Sequence, residues 1–376
     1  MKRRNDTHQL PEDVTIEILL RLPVKSLIRA KAVCKNWYNI IKNPNFVTKH
    51  SNHQSNSGCL LVYGFHSISQ KYAFSLFPDV PLTGSLPVNQ NVVVVPHLLG
   101  VIPYSGILCL FNCKSNCFAL WNPATREFRS LPAFPRKRSP TSLVMSYLDV
   151  FGFGLDPITN DYKVVWIQWT PEVIRSSSEY DVAVYTLSTD SWRHLDVFLP
   201  YANIGNLRSF MFANTCINGV YHWNAIDNDN KSLILAFDMG NELFHEIHDL
   251  PNSEPASLAV YDNSLAAIYN DSGQVDTWVM MEEGCWRKQL TIDLLSEPSL
   301  RLLLEFGKNG KLFMLTKDGC VVLYDPETHE SKDLGFQVEK PMLWVYRESL
   351  VAIRGGDRFL EQDQLSDVDQ VLNFSN

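Results

Sequence analysis

Residues 118–132 read FALWNPATREFRSLP. Apolar and polar residues alternate up to Trp121, Asn122-Pro123 breaks the run, and a second alternating run follows through Phe128. That is the pattern of two short strands joined by a turn. The same unit recurs as VAVYTLSTDSWRHLD (182–196), LILAFDMGNELFHEI (233–247), DTWVMMEEGCWRKQL (276–290) and VVLYDPETHESKDL (321–334), with a worn copy in KYAFSLFPD (71–79). Phe77, Trp121, Tyr185, Phe237, Trp278 and Tyr324 mark the copies. They stand 44, 64, 52, 41 and 46 residues apart, an irregular repeat near 40–50 residues with several strands to each, which predicts propeller blades. FGFGLD (151–156), YKVVWIQW (162–169) and CINGVYHWNA (216–225) supply further strands. About six blades are expected, and a two-sheet β-sandwich is the alternative. The stretch MLWVYRESLVAI (342–353) is placed to close the ring against CLLVYGF (59–65), removing exposed sheet edges.

Upstream of residue 59 the period changes from two to 3.6. Val14, Ile18 and Leu22 fall at helical spacing in LPEDVTIEILLRLP, with Leu19 beside them. Pro11 suits a first turn, Glu12 and Asp13 suit the positive end of the helix dipole, and Pro23 stops the run. Ser26 is expected to cap a second short helix, and Val33, Trp37, Ile40 and Ile41 outline a third. Asn43-Pro44 marks a break and restart carrying Phe46 and Val47. So small a helical module cannot enclose its own apolar residues, and one face must meet a partner. The expected organisation is a small all-α domain followed by an all-β, propeller-like domain. Its parts are a flexible N-terminus (1–8), helices (9–50), a linker (51–58), the β domain (59–353) and a flexible acidic tail (354–376).

Composition narrows the function. Hydrophobic residues make up 45% and charged residues 20%, as in a folded domain. No apolar run is long enough for a membrane helix, and no secretory signal follows MKRRNDTHQLPEDV, so an intracellular protein, in the cytoplasm or nucleus, is expected. The eight cysteines follow no disulfide framework. Residues 1–50 carry ten Lys/Arg against four Asp/Glu, a net +6, which leaves −14 of the total −8 on residues 51–376. A β domain that acidic is a poor nucleic-acid binder and attracts basic proteins at long range.

These helices resemble the F-box as plants write it. The match runs through Leu10-Pro11, Glu17-Ile18-Leu19, Arg21-Leu22-Pro23, Lys25-Ser26-Leu27, Cys34-Lys35 and Trp37, with Phe46 and His50 in familiar places. GILCLFN (106–112), WNPATREFRSLP (121–132), FGFGLDPITNDYKVV (151–165) and VYTLSTDSWR (184–193) are similar to the plant F-box-associated domain, and most like the S-locus F-box group. The chain departs from its relatives at Ala30 and Ala32, where bulkier residues are common.

The resemblance implies a non-catalytic substrate receptor of an SCF ubiquitin ligase. Its F-box would bind a Skp-type adaptor, and through it a cullin and a RING protein, while the β domain holds a protein substrate. For S-locus members the implied substrates are S-RNases, the basic pistil ribonucleases of self-incompatibility. Alternatives are a different plant substrate, or a propeller binding module without ligase activity. The adaptor-facing residues implied are Leu10, Pro11, Ile18, Leu19, Leu22, Pro23, Val24, Leu27, Cys34 and Trp37. The chain's own task would be proximity, raising the effective concentration of a substrate lysine near a thioester.

Substrate contacts are expected on irregular loops at Phe134–Ser142, Thr170–Tyr180 and Tyr201–Arg208, near Arg136, Lys137, Arg138, Arg175 and Arg208. No cofactor or metal is expected. Cys109, Cys113 and Cys117 lack a paired Cys or His group in a segment that reads as a hairpin, and His245 and His248 have odd strand spacing. No nucleophile elbow occurs, and Gly152 and Gly154 do not precede a helix that could bind phosphate.

Overall fold

The computed structural model describes residues 10–53, 59–66, 71–77, 93–94, 98–112, 117–134, 149–170, 179–204, 215–271, 273–297, 299–307, 310–337, 339–353 and 357–358. Four helices open it: α1 (Glu12–Leu20), α2 (Val24–Ala30), α3 (Lys35–Lys42) and α4 (Pro44–His53). The last runs three residues into the expected linker. Pro11 sits one position earlier than its reading, as N-cap, with its carbonyl accepting from the Thr15 amide at 3.1 Å. Ser26 does not cap α2. Pro23, already at φ −65°, starts that helix, and its carbonyl takes the Ser26 and Leu27 amides. The cap of α3 is Cys34, whose sulfur accepts the Trp37 amide at 3.5 Å.

The strands form six sheets arranged as blades, not the two of a sandwich. From centre to rim, the first blade runs Glu339–Tyr346, Cys59–His66, Lys71–Phe77 and Val93–Val94. The second runs Leu98–Tyr104, Ile107–Asn112, Cys117–Asn122 and Glu127–Ser130, and the third Val150–Asp156, Asp161–Thr170, Glu179–Thr186 and Ser191–Leu195. In the fourth, Tyr201–Ile204 and Thr215–Ile217 share the inner edge of Val220–Asp227, followed by Ser232–Asp238 and Leu243–Ile247. Ser257–Tyr261, Ser264–Asp271, Gln274–Glu282 and Cys285–Asp293 make the fifth. Leu300–Phe306, Leu312–Thr316, Cys320–Asp325 and Glu330–Gln337 make the sixth. All six aromatic markers lie on third strands.

The ring closes through the expected pair of stretches. Leu60 pairs with Val345, Leu61 with Trp344 and Val62 with Leu343, so a late strand supplies the innermost position of the first blade. Residues 347–353, read with that strand, are not part of it. Two residues of the supposed flexible tail, Asp357 and Arg358, instead pair with Phe128 and Glu127 at the rim of the second blade.

The core lies between blades. One cluster joins the second, third and fourth blades through Phe111, Phe118, Trp166 and Trp223, and others bridge each remaining pair of neighbours. Because blades cover both faces of a strand, Ile107–Asn112 is buried at every residue. Close approach explains FGFG: a Cβ on Gly152 would stand 2.8 Å from the Tyr221 and Trp223 rings, and one on Gly154 would stand 2.6 Å from the Cys216 sulfur.

One turn recurs. Asp156, Asp238 and Asp325 each accept the amides two and three residues ahead through one side-chain oxygen. The residue four ahead is left-handed, at Asn160 (φ 55°), Glu242 (φ 58°) and His329 (φ 58°). Asn122 builds the same turn with Ala124, Thr125 and Arg126 (φ 59°). Strand direction alternates through each blade, so first-to-second and third-to-fourth hairpins share one face. Blade crossings and second-to-third hairpins take the other. The chain enters at Cys59, paired with Tyr346 at the end of the inner strand, which puts the helices on the first face.

Candidate functional site

The helical module has a closed core and an open face. Leu19, Val24 and Leu27 are buried in it with Leu20, Ile40, Ile41 and Phe46. The structure thus puts these three inside the helical core, where they pack, and not on the open surface expected for the set. Leu22 and Trp37 are half-buried against the same core. Leu10, Pro11, Ile18, Pro23 and Cys34 are exposed, Leu10 at 60% and Ile18 at 45%. Val14, Val33 (65% exposed) and Tyr38 join them, although sequence reading did not select them. The spacing Pro11–Val14–Ile18, which steps along one side of α1, was the signal available. Ala30 packs in the core and Ala32 is exposed. Below the face, buried His50 hydrogen-bonds through Nε2 to the Leu22 carbonyl at 2.8 Å, joining α4 to the end of α1. Burial lowers the His50 pKa, against the raising effect of that hydrogen bond.

The helices rest on the propeller through residues 347–353. Leu350 is buried in the helical core, and Ala124 of the second-blade hairpin packs on the same cluster. Fully buried Asn122 donates Nδ2–H to the carbonyls on either side of Leu350, Ser349 at 3.1 Å and Val351 at 2.8 Å. The Ile353 amide donates to the Glu127 carboxylate at 2.8 Å, and the Tyr346 hydroxyl donates to the Gly106 carbonyl at 3.1 Å.

The opposite face carries the described ends of the candidate loops, at 134, 170, 180 and 201. Arg136, Lys137, Arg138, Arg175 and Arg208 themselves lie outside the described residues. Phe134, at the base of the first loop, packs against Trp166, Trp192 and His194. Around these ends lie Asp149 with Gln168 (3.3 Å), Asp181 with His194 (3.2 Å) and Glu246 with the Tyr201 hydroxyl (2.5 Å). Asp196 is exposed on the crossing to the fourth blade, and Phe198 on the same crossing is 79% exposed.

Among the described residues no group of three His, Cys, Asp or Glu is set to hold a metal. His245 and His248 are exposed, Cys109 is buried in the core and Cys117 lies at the start of the next strand. Cys113 lies outside the described residues.

Two family models cover most of the chain: the F-box domain matches residues 8–49, and the F-box associated beta propeller domain matches residues 86–342. Several Arabidopsis thaliana proteins are similar along their length. F-box protein At5g18160 is 27% identical over 89% of this chain and 84% of its own. F-box/kelch-repeat protein At3g23880 is 28% identical, covering 81% and 88%, and F-box protein CPR1 is 26% identical, covering 86% and 84%. The domain pair is that of non-catalytic SCF substrate-recognition subunits, with the F-box for a Skp-type adaptor and the propeller for a protein substrate.

Proposed function

The chain belongs to the F-box proteins with an F-box associated beta propeller domain, and from that premise we propose that it brings a basic protein to a cullin–RING ligase for ubiquitination. The observation that carries the adaptor side is that Leu10, Pro11, Val14, Ile18 and Val33 stay exposed on a module whose core is already filled. Large exposed apolar patches of this kind mark interaction sites. With an adaptor seated there, cullin and RING protein follow, and the propeller holds the substrate on the face away from the helices.

The substrate proposal rests on charge and one anchor. Residues 51–376 carry −14, and Asp196 stands beside exposed Phe198 where the candidate loops begin. A basic surface with an apolar pocket fits that combination. S-RNases, as the S-locus resemblance suggests, are such proteins, and a different basic plant protein is the competing target. The eight cysteines follow no disulfide framework in the sequence, and a reducing compartment such as the cytoplasm or nucleus fits that pattern.

The test is co-purification of the full chain with a Skp-type adaptor and cullin, wild type beside Leu10→Ala/Pro11→Ala. Loss of both partners in the variant is expected. Failure of the wild type to hold any adaptor would leave a propeller binding module without ligase activity. Purified S-RNase offered to the wild-type complex and to Phe198→Asp then tests the target, with binding expected only to wild type.

A further inference from the structure

We infer that residues 347–353 are a strap that holds the F-box at a fixed angle to the propeller, and that Asn122 is the positioning residue that fastens it. The geometry does not depend on the nature of the adaptor or substrate. Among the described residues, four turns in the propeller share one design, in which a side-chain oxygen caps the amides two and three residues on and the residue four on is left-handed. An aspartate supplies that oxygen at 156, 238 and 325. Of these four, the second blade's alone is an asparagine, and there alone the second side-chain atom faces two carbonyls, those of Ser349 and Val351. The capping oxygen serves the turn equally well in either residue. The Nδ2 donor is needed for the strap alone.

Between the two gripped carbonyls Leu350 projects into the helical core, where it is 4% exposed beside Leu19, Val24 and Leu27. Gly106 leaves room for the strap: at φ +80°, a Cβ there would come within 2.3 Å of the Ser349 Cβ and 2.7 Å of the Arg347 carbonyl. Glu348 stays within the electrostatic reach of Lys25 on α2. The strap is thus held by the propeller on one side and plugs the helices on the other.

Fixing this angle decides where an adaptor-bound ligase stands relative to the substrate face, and transfer over a distance is sensitive to such placement. The decisive variant is Asn122→Asp, which keeps the turn oxygen, removes both Nδ2 donors and sets a carboxylate against two carbonyls. Hydrogen–deuterium exchange of the full chain should show residues 347–353 and α2 opening on the order of tenfold more readily. The 117–130 hairpin should stay protected and the propeller melting temperature should hold. Unchanged exchange at 347–353 would overturn the inference.

Two further measurements separate positioning from general stability. Leu350→Ala should raise exchange in the helices while the blades stay protected; unchanged helices would remove the strap's role as plug. In small-angle scattering of the adaptor-bound chain, Asn122→Asp should broaden the distance distribution without loss of adaptor affinity. An unchanged distribution would mean that the angle is set elsewhere.

Discussion

Lys163 and Glu242 form a 2.8 Å ion pair across the boundary between the third and fourth blades. The same ammonium lies 2.8 Å from Asp156 in its own blade and donates to the Met239 carbonyl at 2.7 Å. Arg193 also reaches Glu242. Lys163 is almost wholly buried, and Asp156 more so. Replacing it with methionine should destabilise the full chain by about 3–5 kcal/mol, because a buried carboxylate is left without its partner. Urea unfolding would measure this, and a Lys163→Met/Asp156→Asn double variant should recover part of the loss.

Acid should dissolve the same contact. Burial works to raise the Asp156 pKa, but hydrogen bonds from Lys163, Thr159 and Ile158 bring it down from 3.8 to about 2. A carboxylate with a depressed folded pKa stabilises fully above its unfolded pKa, and that share is lost as pH falls from about 4 towards 2. Melting temperature against pH should fall across that window, and less steeply in the double variant.

His50 gives the helices their own pH dependence, at a different place. Its folded pKa lies below 6.5 because burial disfavours the imidazolium, so the neutral form is the one folding selects. Stability from this residue is complete above the unfolded pKa and declines as pH drops below it. The protection of α1 and α4, corrected for the intrinsic slowing of amide exchange at lower pH, should therefore fall between pH 7.5 and 5.5, which is the rise in opening that this residue causes. In His50→Gln, which cannot titrate, the rise should be absent.

Neighbouring residues on α1 should fail in opposite ways. Leu19→Ala empties a fully buried site and should cost about 2–5 kcal/mol of helical stability. Ile18→Glu places a charge on an exposed position, so exchange should be unaffected while adaptor co-purification is lost. If Ile18→Glu still holds the adaptor, the docking face lies elsewhere on the helices.

Gly152→Ala tests how tightly the blades meet. The added methyl would collide with two large, fully buried rings, for an expected cost of about 1–3 kcal/mol by urea unfolding.

Much of this architecture was legible because its signals are local. The alternation in 118–132 and its copies depends only on strand period and turn chemistry, so every marker from Phe77 to Tyr324 falls on a third strand. The closing strand was legible too, since a ring needs a partner for CLLVYGF. Which helical residues face outwards was not. Periodicity groups Val14 with Ile18, yet the face that a helix buries is decided by what packs on it, and Leu350 comes from the far end of the fold. Ser26 looked like a cap by residue type, but Pro23 had already set the helical start. Asn122 looked like an ordinary turn residue, and its second role needs a segment more than two hundred positions away.

The pairing of 339–346 with 59–66 also sets an order in time. Ribosomes add roughly 5–20 residues per second, so α1–α4 emerge on the order of 15–60 s before the strand that completes the first blade. Throughout that interval a growing chain carries its docking helices without the plug of Leu350 and with the inner edge of the first blade bare. A premature stop before residue 339 would release a chain in that state, an aggregation-prone protein rather than a smaller working receptor.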